Sequence, residues 1–371
     1  MLTLVYVGGL GMMAGPASVH LTPLTAAQVL RVHDRGTVGD TRDQFRTSWK
    51  RHGAELVSSF DDLIGDGNID GVVVCAGKNG DDLPIIANLT HLLEKRTHRP
   101  AFILHMSTVS PAFAESATRF CHESGVTYAN YPLTGGPIGA RLGGGDAKGM
   151  LILASGQKAL FERLLPTLRL LGHPKFFGLE PSAGAVTKLI GQHLVFNGLT
   201  AISAATAIHS IYFNEGKIGG AAQADYLGFL NGGAGGTRQW DVAMKKGVED
   251  AVWDSGFLIP HAVVDAIYAA KLALDCKLPR FAVQSIINVA YVFSFLLDQY
   301  PRTVLATHAI VREMVSAHSA MIDQFMVVSG AYSAEVEDAL AACIESLPER
   351  VRETVLIEPR PEYFRDAAGR S

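Results

Sequence analysis

The sequence contains only four cysteines, and no two of them form a Cys-x-x-Cys pair. Cys75, Cys121, Cys276 and Cys343 lie far apart, which excludes a disulfide-stabilised scaffold and a cysteine-rich zinc site. The thirteen histidines form no His-x-x-x-His or His-Glu-x-x-His pair. We therefore predict no catalytic metal.

A surplus of positive charge is also missing. Lys and Arg number 32 against 36 Asp and Glu, which gives a net charge of −4. A protein that binds along a nucleic acid needs cations to neutralise its phosphates. We therefore expect no nucleic-acid partner.

Long hydrophobic runs are missing as well. The longest, from Val289 to Leu297, contains a serine and is far shorter than the ~20 residues that span a bilayer. The N-terminus has no positively charged segment and reaches Gly8-Gly9 within a few residues, which indicates a first strand and not a signal peptide. We expect a soluble cytoplasmic protein with no membrane partner.

The composition indicates a large buried core. Residues of the AVILMFWYC set make up 48% of the 371 residues, and this length suits two or three domains. Short apolar runs alternate with helix-like stretches in the first part, a pattern that predicts an α/β domain with a mostly parallel sheet covered on both faces. The strand candidates are Leu2–Val7, Val29–His33, Gly71–Ala76, Ala101–Met106, Thr127–Asn130 and Met150–Ala154.

The character of the chain changes near residue 180. From Ala183 to about Tyr212 the sequence is apolar and alanine-rich, which predicts a buried helix of ~45 Å with Ser182 as its N-cap. We predict an α/β domain over 1–180, an all-α domain over 181–300, and a helical extension with a polar, frayed tail over 301–371. The further helix candidates are Val242–Val252, His261–Leu274, Ala282–Gln299, Thr303–Val327 and Ala334–Ser346, with a glycine-rich loop at 231–236.

A glycine-rich turn follows the first strand directly. Gly9-Leu10-Gly11-Met12-Met13-Ala14 matches the Gly-x-Gly-x-x-Gly pattern, with alanine as the small last residue. The first glycine permits a tight turn, the second lets the backbone approach a pyrophosphate, and the small third residue lets helix and strand pack closely. Because the turn stands between a strand and a helix, we predict that it binds a dinucleotide.

The end of the second strand bears on the choice of dinucleotide. Asp34 would hydrogen-bond the adenosine ribose of NAD, and Arg35 would bind the 2′-phosphate of NADP. The sequence leaves both cofactors open, but Arg42 and Arg46 follow closely and the cluster of cations favours NADP. Ala76, at the end of the Gly71–Ala76 strand candidate, is expected beside the cofactor.

Four short motifs follow one another along the chain: Gly9 to Ala14, His105-Met-Ser107-Thr108-Val-Ser-Pro111, Tyr131-Pro-Leu-Thr134-Gly135-Gly136, and Gly184-Ala-Val-Thr-Lys188-Leu-Ile-Gly-Gln192. In this order they resemble the β-hydroxyacid dehydrogenases, which include 3-hydroxyisobutyrate dehydrogenase and, more distantly, 6-phosphogluconate dehydrogenase. The resemblance covers about residues 1–300. It implies an NAD(P)-dependent oxidoreductase with an NAD(P)-binding Rossmann domain over 1–180, whose mostly parallel sheet is doubly wound, and an all-helical C-terminal domain. It also implies a long interdomain helix that often builds a homodimer.

The resemblance assigns the proton chemistry to Lys188. The lysine at this position is the family's general acid/base, and an ammonium in partly desolvated surroundings exchanges its proton readily with a substrate oxygen. Gln192 lies one helical turn further, where the family usually has an asparagine that hydrogen-bonds the substrate hydroxyl. Gly191 also replaces a usual asparagine. Without this motif, Lys188 and Gln192 would be interpreted as polar residues on a solvated helix surface.

The resemblance also implies an anion site for a small carboxylate-bearing substrate. Ser107 and Thr108 follow a strand at the carboxyl edge of the sheet, and Thr134, Gly135 and Gly136 resemble the family's Ser-Gly-Gly nest. His105 stands where the family has aspartate, and we expect it to be a packed histidine that donates to the backbone. His261 falls near the family's cofactor-side lysine and could replace its hydrogen bond.

Two alternatives remain open at this point. The first is an imine reductase, although Lys188 speaks against it. The second is a cofactor-binding dimerisation module without catalysis, which the departures at His105, Gly191, Gln192 and His261 motivate.

Overall fold

The computed structural model describes residues 1–21, 26–35, 40–65, 67–76, 81–96, 101–316 and 334–356. The described residues up to Lys188 form one compact unit, and those from Leu189 onward form a second. The division falls inside one continuous helix. The domain limits that the sequence suggests at 180/181 and 300/301 stay predictions, and the predicted polar tail over Glu358–Ser371 lies outside the described residues.

A six-stranded sheet organises the first unit. Its strands are β1 (Leu2–Val7), β2 (Ala27–His33), β3 (Glu55–Val57), β4 (Gly71–Val74), β5 (Phe102–His105) and β6 (Thr127–Asn130), in the order β3-β2-β1-β4-β5-β6 with every pair parallel. This order places β1 at the centre, so the predicted Rossmann fold is confirmed. Neighbouring strands end level with each other, at Val7, Val74, His105 and Asn130.

Both faces of the sheet are buried, which explains the near-continuous apolar strands. Along β1, Leu4 and Tyr6 pack into one hydrophobic cluster with Trp49, while Val5 and Val7 pack into another. Alternate residues of a strand point to opposite faces, so burial of all four requires helices on both sides. The helices of this unit are α1 (Ala17–Leu21), α2 (Asp40–His52), α3 (Phe60–Ile64), α4 (Asp82–Glu94), α5 (Pro111–Glu123), α6 (Gly136–Leu142) and α7 (Lys158–Leu171).

A second, three-stranded sheet corrects one expectation. The Met150–Ala154 candidate forms β8 (Leu151–Ala154), which pairs antiparallel with β7 (Leu133–Thr134) and parallel with β9 (His173–Phe176). It therefore does not belong to the parallel sheet. An apolar run predicts that a strand is buried, but it does not say which strands lie beside it.

The second unit is helical in its described part. The predicted long helix is confirmed as α8 (Ala183–Phe213), and later helices begin within a few residues of their predicted starts. The exceptions are two unpredicted helices, α9 (Ala221–Asn231) and α15 (Glu349–Leu356), and the segment at Thr303. In that segment Ala306 forms an isolated bridge with Leu258, and the chain becomes helical only at Thr307. The Thr303–Val327 candidate is described only as far as residue 316. A π-helical turn covers Trp240–Met244. The helices after α8 are α9 (Ala221–Asn231), α10 (Lys245–Asp250), α11 (Ile259–Asp275), α12 (Arg280–Gln299), α13 (Ile310–Ser316), α14 (Ala334–Glu345) and α15 (Glu349–Leu356).

Two of these helices, α8 and α12, are long and apolar enough to cross a membrane by length and composition. The same composition suits core helices, and each contributes side chains such as Phe196 and Phe293 to the buried cluster of the second unit. The expectation of no membrane partner stays a prediction.

The core of the second unit makes a stability prediction. Phe293 of α12 is fully buried against Phe196, whereas Phe281 of the same helix is 81% exposed. Phe293→Ala leaves a cavity and is expected to cost about 3–5 kcal/mol of unfolding free energy, measured by chemical denaturation. Phe281→Ala is the matched control and should change stability by less than about 1 kcal/mol; equal losses would contradict this assignment of the core.

Candidate active site

The two residues that follow β1, Gly8 and Gly9, have no room for a side chain. Gly8 has a φ of 79°, and a Cβ on it would lie 2.5 Å from the carbonyl oxygen of Cys75. A Cβ on Gly9 would lie 2.5 Å from Val32 Cγ1, and the Gly9 carbonyl accepts a 2.8 Å hydrogen bond from Trp49 Nε1. The turn is therefore held by its neighbours on both sides, with its backbone at the carboxyl edge of the sheet.

The predicted motif keeps its geometry, but the helix after it begins late. Among the described residues, only the Gly8 carbonyl oxygen lies near the Cβ position of Gly11, at 3.3 Å, which leaves room there for a ligand. Ala14 is buried, as close packing requires. Residues 12–16 form turns and α1 starts only at Ala17, because Pro16 has no N–H to continue a helical ladder. Met12 is exposed, while Met13 packs against the core.

Asp34 ties the end of β2 to this turn. Its Oδ2 accepts a 3.0 Å hydrogen bond from the Leu10 N–H, and Arg42 Nη1 lies 3.2 Å from Oδ1. An acid in this position can accept from a ribose hydroxyl. Asp34 also lines an open cleft of about 1340 Å³ with Val57 and Ser58, which follow β3.

The arginines predicted for a 2′-phosphate already have carboxylate partners. Arg35, 66% exposed, pairs with Asp81 at the start of α4, and Arg46 Nε lies 3.5 Å from Asp43. Asp81 occupies the N-cap position of α4 but makes no capping hydrogen bond with its side chain. A phosphate at Arg35 would therefore compete with Asp81, and the preference for NADP stays a prediction.

Ser107 holds the next strand end in place. Its Oγ donates a 2.8 Å hydrogen bond to the Ala76 carbonyl, and Asn130 Nδ2 donates to the Ser107 carbonyl at 3.0 Å. Ala76 in turn lies against the Gly8 turn. A hydroxyl has one hydrogen, so Ser107 can donate to a substrate carboxylate only if it leaves Ala76. Thr108, beside it, is buried.

His105 does not donate to the backbone, contrary to expectation. The imidazole is fully buried, with Nδ1 2.9 Å from the Tyr128 hydroxyl and Nε2 2.9 Å from Asp82 Oδ1. Burial raises the pKa of Tyr128, with smaller contributions from Cys121 and Asp82, so this hydroxyl keeps its proton and can donate it to Nδ1. The imidazole thus joins β5 to β6 and to the start of α4.

The predicted anion nest lies at the end of β7. Gly135 and Gly136 have φ values of 125° and 64°, a region that favours glycine, and α6 begins at Gly136. A Cβ on Gly136 would meet nothing within 4 Å. Thr134 is half-buried and pairs with Leu151 across the small sheet. Binding of a substrate anion by these residues stays a prediction.

Helix α8 carries Lys188 and Gln192 one turn apart. Its start differs from expectation, because the Ser182 hydroxyl donates to Glu115 and the Gly184 N–H donates instead to Ser155 Oγ, at 2.9 Å. Lys188 is 8% exposed and Gln192 2%, so neither is a solvated surface residue.

Gln192 has a partner that the sequence did not reveal. Its Nε2 donates a short hydrogen bond to Asp265 Oδ2 in the middle of α11. His261 lies in the first turn of α11, four residues before Asp265 and so on the same helix face. Asp265 stands alone among alanines and valines, and such an isolated acid in an apolar helix is the signal that could have found it.

Within the first unit the structure therefore brings Leu10 together with Asp34, and Ser107 with Ala76 and the Gly8 turn. Within the second unit it brings Gln192 to Asp265. The described residues contain no group of three or more His, Cys, Asp or Glu side chains that could hold a metal ion. The absence of a catalytic metal stays a prediction.

Comparisons with known proteins agree with this fold. Residues 5–189 match the model of the NAD-binding domain of 6-phosphogluconate dehydrogenase. An uncharacterised oxidoreductase of Synechocystis is 28% identical over 275 residues, which is 73% of this chain and 86% of that protein. The 2-hydroxy-3-oxopropionate reductase of Escherichia coli is 33% identical over 103 residues, 28% of this chain and 34% of that protein. The solved 3-hydroxyisobutyrate dehydrogenase of Salmonella typhimurium has a TM-score of 0.67 and 18% identity, and the match covers 84% of this chain and 99% of that one.

The arginine contacts give a test of cofactor preference. Arg35→Gln is expected to weaken NADPH binding about 10- to 100-fold, because a charge-assisted hydrogen bond contributes about 1.5–3 kcal/mol, and to leave NADH binding unchanged. Cofactor fluorescence titration measures both. Arg51→Gln, which changes an exposed arginine in the last turn of α2, is the control and should change neither. An equal loss for both cofactors would show that Arg35 acts only through its pair with Asp81.

Proposed function

Because the chain is an NAD(P)-binding oxidoreductase of the β-hydroxyacid dehydrogenase family, we propose that it oxidises a small carboxylate-bearing β-hydroxy acid or reduces the matching aldehyde. The observation that carries the proposal is the buried Lys188 one helical turn before the buried Gln192. The bound nicotinamide supplies or accepts the hydride.

Lys188 is the general acid/base of this proposal. In the reducing direction its ammonium gives a proton to the oxygen that gains negative charge, and in the oxidising direction the amine removes the proton from the hydroxyl. Its low exposure supports the role, because a desolvated ammonium interacts more strongly with a developing oxyanion than a hydrated one does. Gln192 orients the reacting hydroxyl through its side-chain amide.

The substrate carboxylate is assigned to Thr108, Thr134, Gly135 and Gly136, together with Ser107. Two glycine N–H groups in succession form a small anion site without any charged side chain. Ser107 fixes Ala76 against the dinucleotide turn in the absence of substrate. Its hydroxyl hydrogen binds the substrate carboxylate once it has left the Ala76 carbonyl. Asp34, Arg35, Ala76 and the Gly9–Met13 turn bind the cofactor, with NADP favoured, and His261 is proposed as a further cofactor contact.

We also propose that the protein forms a homodimer. The second half of α8 exposes the large apolar side chains of Ile208, Ile211, Tyr212 and Phe213, and Phe229 of α9 is 82% exposed. Contiguous exposed apolar groups on a helix mark an association surface, and a second copy of the chain offers the complementary one. The proposed cytoplasmic location rests on the family alone.

A substrate panel tests the activity. We expect turnover of 3-hydroxyisobutyrate, 2-hydroxy-3-oxopropionate or a close homologue with NADP or NAD, followed by nicotinamide absorbance. Turnover of a cyclic imine alone would favour the imine reductase reading. Tight cofactor binding without turnover of any compound would favour a non-catalytic module.

Lys188→Ala tests the proton relay. The substitution is expected to lower kcat about 10²- to 10⁴-fold, the range that general acid–base catalysis contributes, with cofactor affinity unchanged. Lys158→Ala removes an exposed lysine paired with Glu162 and should have no effect. Full turnover by the Lys188 variant would refute the mechanism.

Charge introduced on the apolar surface tests the dimer. Tyr212→Glu combined with Phe213→Glu places two carboxylates in the exposed patch and is expected to convert a dimer to a monomer in sedimentation velocity at micromolar concentration. Glu215→Gln, an exposed change two residues beyond the helix, is the control. A wild-type protein that sediments as a monomer would contradict the proposal directly.

A further inference from the structure

One carboxylate is buried deep in the core of the second unit. Asp265 is 1% exposed on α11, and its neighbours Ala262, Ala266 and Ala269 are completely buried. A carboxylate in such surroundings is tolerated only when hydrogen bonds compensate for the water it has lost. An alanine or leucine would pack in this core without that penalty, so the position calls for an explanation by function.

The compensating donor includes Gln192 Nε2, which bonds Asp265 Oδ2 from α8. A carboxylate oxygen accepts hydrogen bonds, and the NH₂ end of the amide faces Asp265 in the structure. The opposite amide orientation would bring the Gln192 oxygen against a carboxylate oxygen. The chemistry of the pair therefore assigns the orientation, and the amide oxygen is the end held away from Asp265.

We propose that Asp265 is a positioning residue that makes Gln192 a hydrogen-bond acceptor for the hydroxyl of the substrate. The inference rests on the proposed function of Lys188 and Gln192, and it adds which of the two donates a hydrogen bond to the substrate and which accepts one. An acceptor binds the hydroxyl of a β-hydroxy acid but not a carbonyl oxygen, which has no hydrogen to donate. While Lys188 is an ammonium it donates to the substrate oxygen, and the one hydrogen of the hydroxyl is bound by the Gln192 oxygen. In oxidation the hydroxyl turns this hydrogen from Gln192 to the neutral Lys188 amine, which removes it.

The pairing itself is tested without turnover, by exchanging the two functional groups. Gln192→Glu places two carboxylates together in a buried site and should lower the melting temperature. Adding Asp265→Asn restores an N–H donor opposite a carboxylate and should recover most of the decrease in melting temperature. Asp275→Asn, at the exposed end of the same helix, is the control and should not rescue Gln192→Glu. A double variant that melts as low as Gln192→Glu alone would overturn the pairing.

The same variants test the acceptor role. In Gln192→Glu/Asp265→Asn, residue 192 retains an acceptor oxygen but has no N–H at all. We expect oxidation of 3-hydroxyisobutyrate with NADP to remain within about tenfold of wild type, because the acceptor is still presented. If turnover is lost although the melting temperature is restored, the substrate is bound by the N–H of Gln192 that does not face Asp265, and not by its oxygen. That result would overturn the proposal.

A thermodynamic cycle tests whether Asp265 acts through Gln192. Asp265→Leu is expected to lower kcat/KM about 10- to 100-fold, mainly through KM for the hydroxy acid, since the amide is then free to rotate. In a Gln192→Leu background the same change should cost less than about threefold. Losses that multiply would show that Asp265 acts independently. If the wild type oxidises no hydroxy acid, the proposed function fails, and the melting series still decides whether the pair exists.

Discussion

The close approach of backbone to backbone at the end of β1 is the constraint on which the first unit depends. Gly8 and Gly9 have no room for a Cβ, because Cys75 and Val32 occupy those places. This crowding brings the ends of β1, β2 and β4 together, so that Asp34 reaches the Leu10 N–H and Ala76 lies beside the turn. Gly11 has more room than Gly8 and Gly9 among the described residues, so a dinucleotide can approach the turn there.

The polar groups around this edge of the sheet contact one another and connect neighbouring strands before any ligand binds. Ser107 donates to Ala76, and His105 lies between Tyr128 and Asp82. Fixed contacts of this kind hold the strand ends in place before a ligand arrives. The Ser107 hydroxyl is the exception, because it must leave Ala76 before it can donate to a carboxylate. The departure from the family at His105 is therefore accommodated by this chain's own partners for the imidazole.

Much of this architecture follows from local patterns, and the remainder depends on partners distant in sequence. The apolar runs of β1, β4 and β5 and the long α8 are predictable, because burial on all sides leaves a continuous hydrophobic signal. Strand β3 has three residues on an exposed edge and gives no such signal. The glycine turn and Asp34 are also readable, whereas the contact of Gln192 with Asp265 spans 73 residues and appears only when α8 packs on α11.

The buried pair of Gln192 and Asp265 also has a consequence for engineering the stability of this protein. Replacing an internal polar pair by well-packed aliphatic side chains is often neutral or stabilising, so a search for thermostable variants would favour that replacement. Under the proposed role of Gln192, such a variant would fold and express but would no longer orient the substrate hydroxyl. Heat tolerance and catalytic competence would then be selected in opposite directions at a single contact.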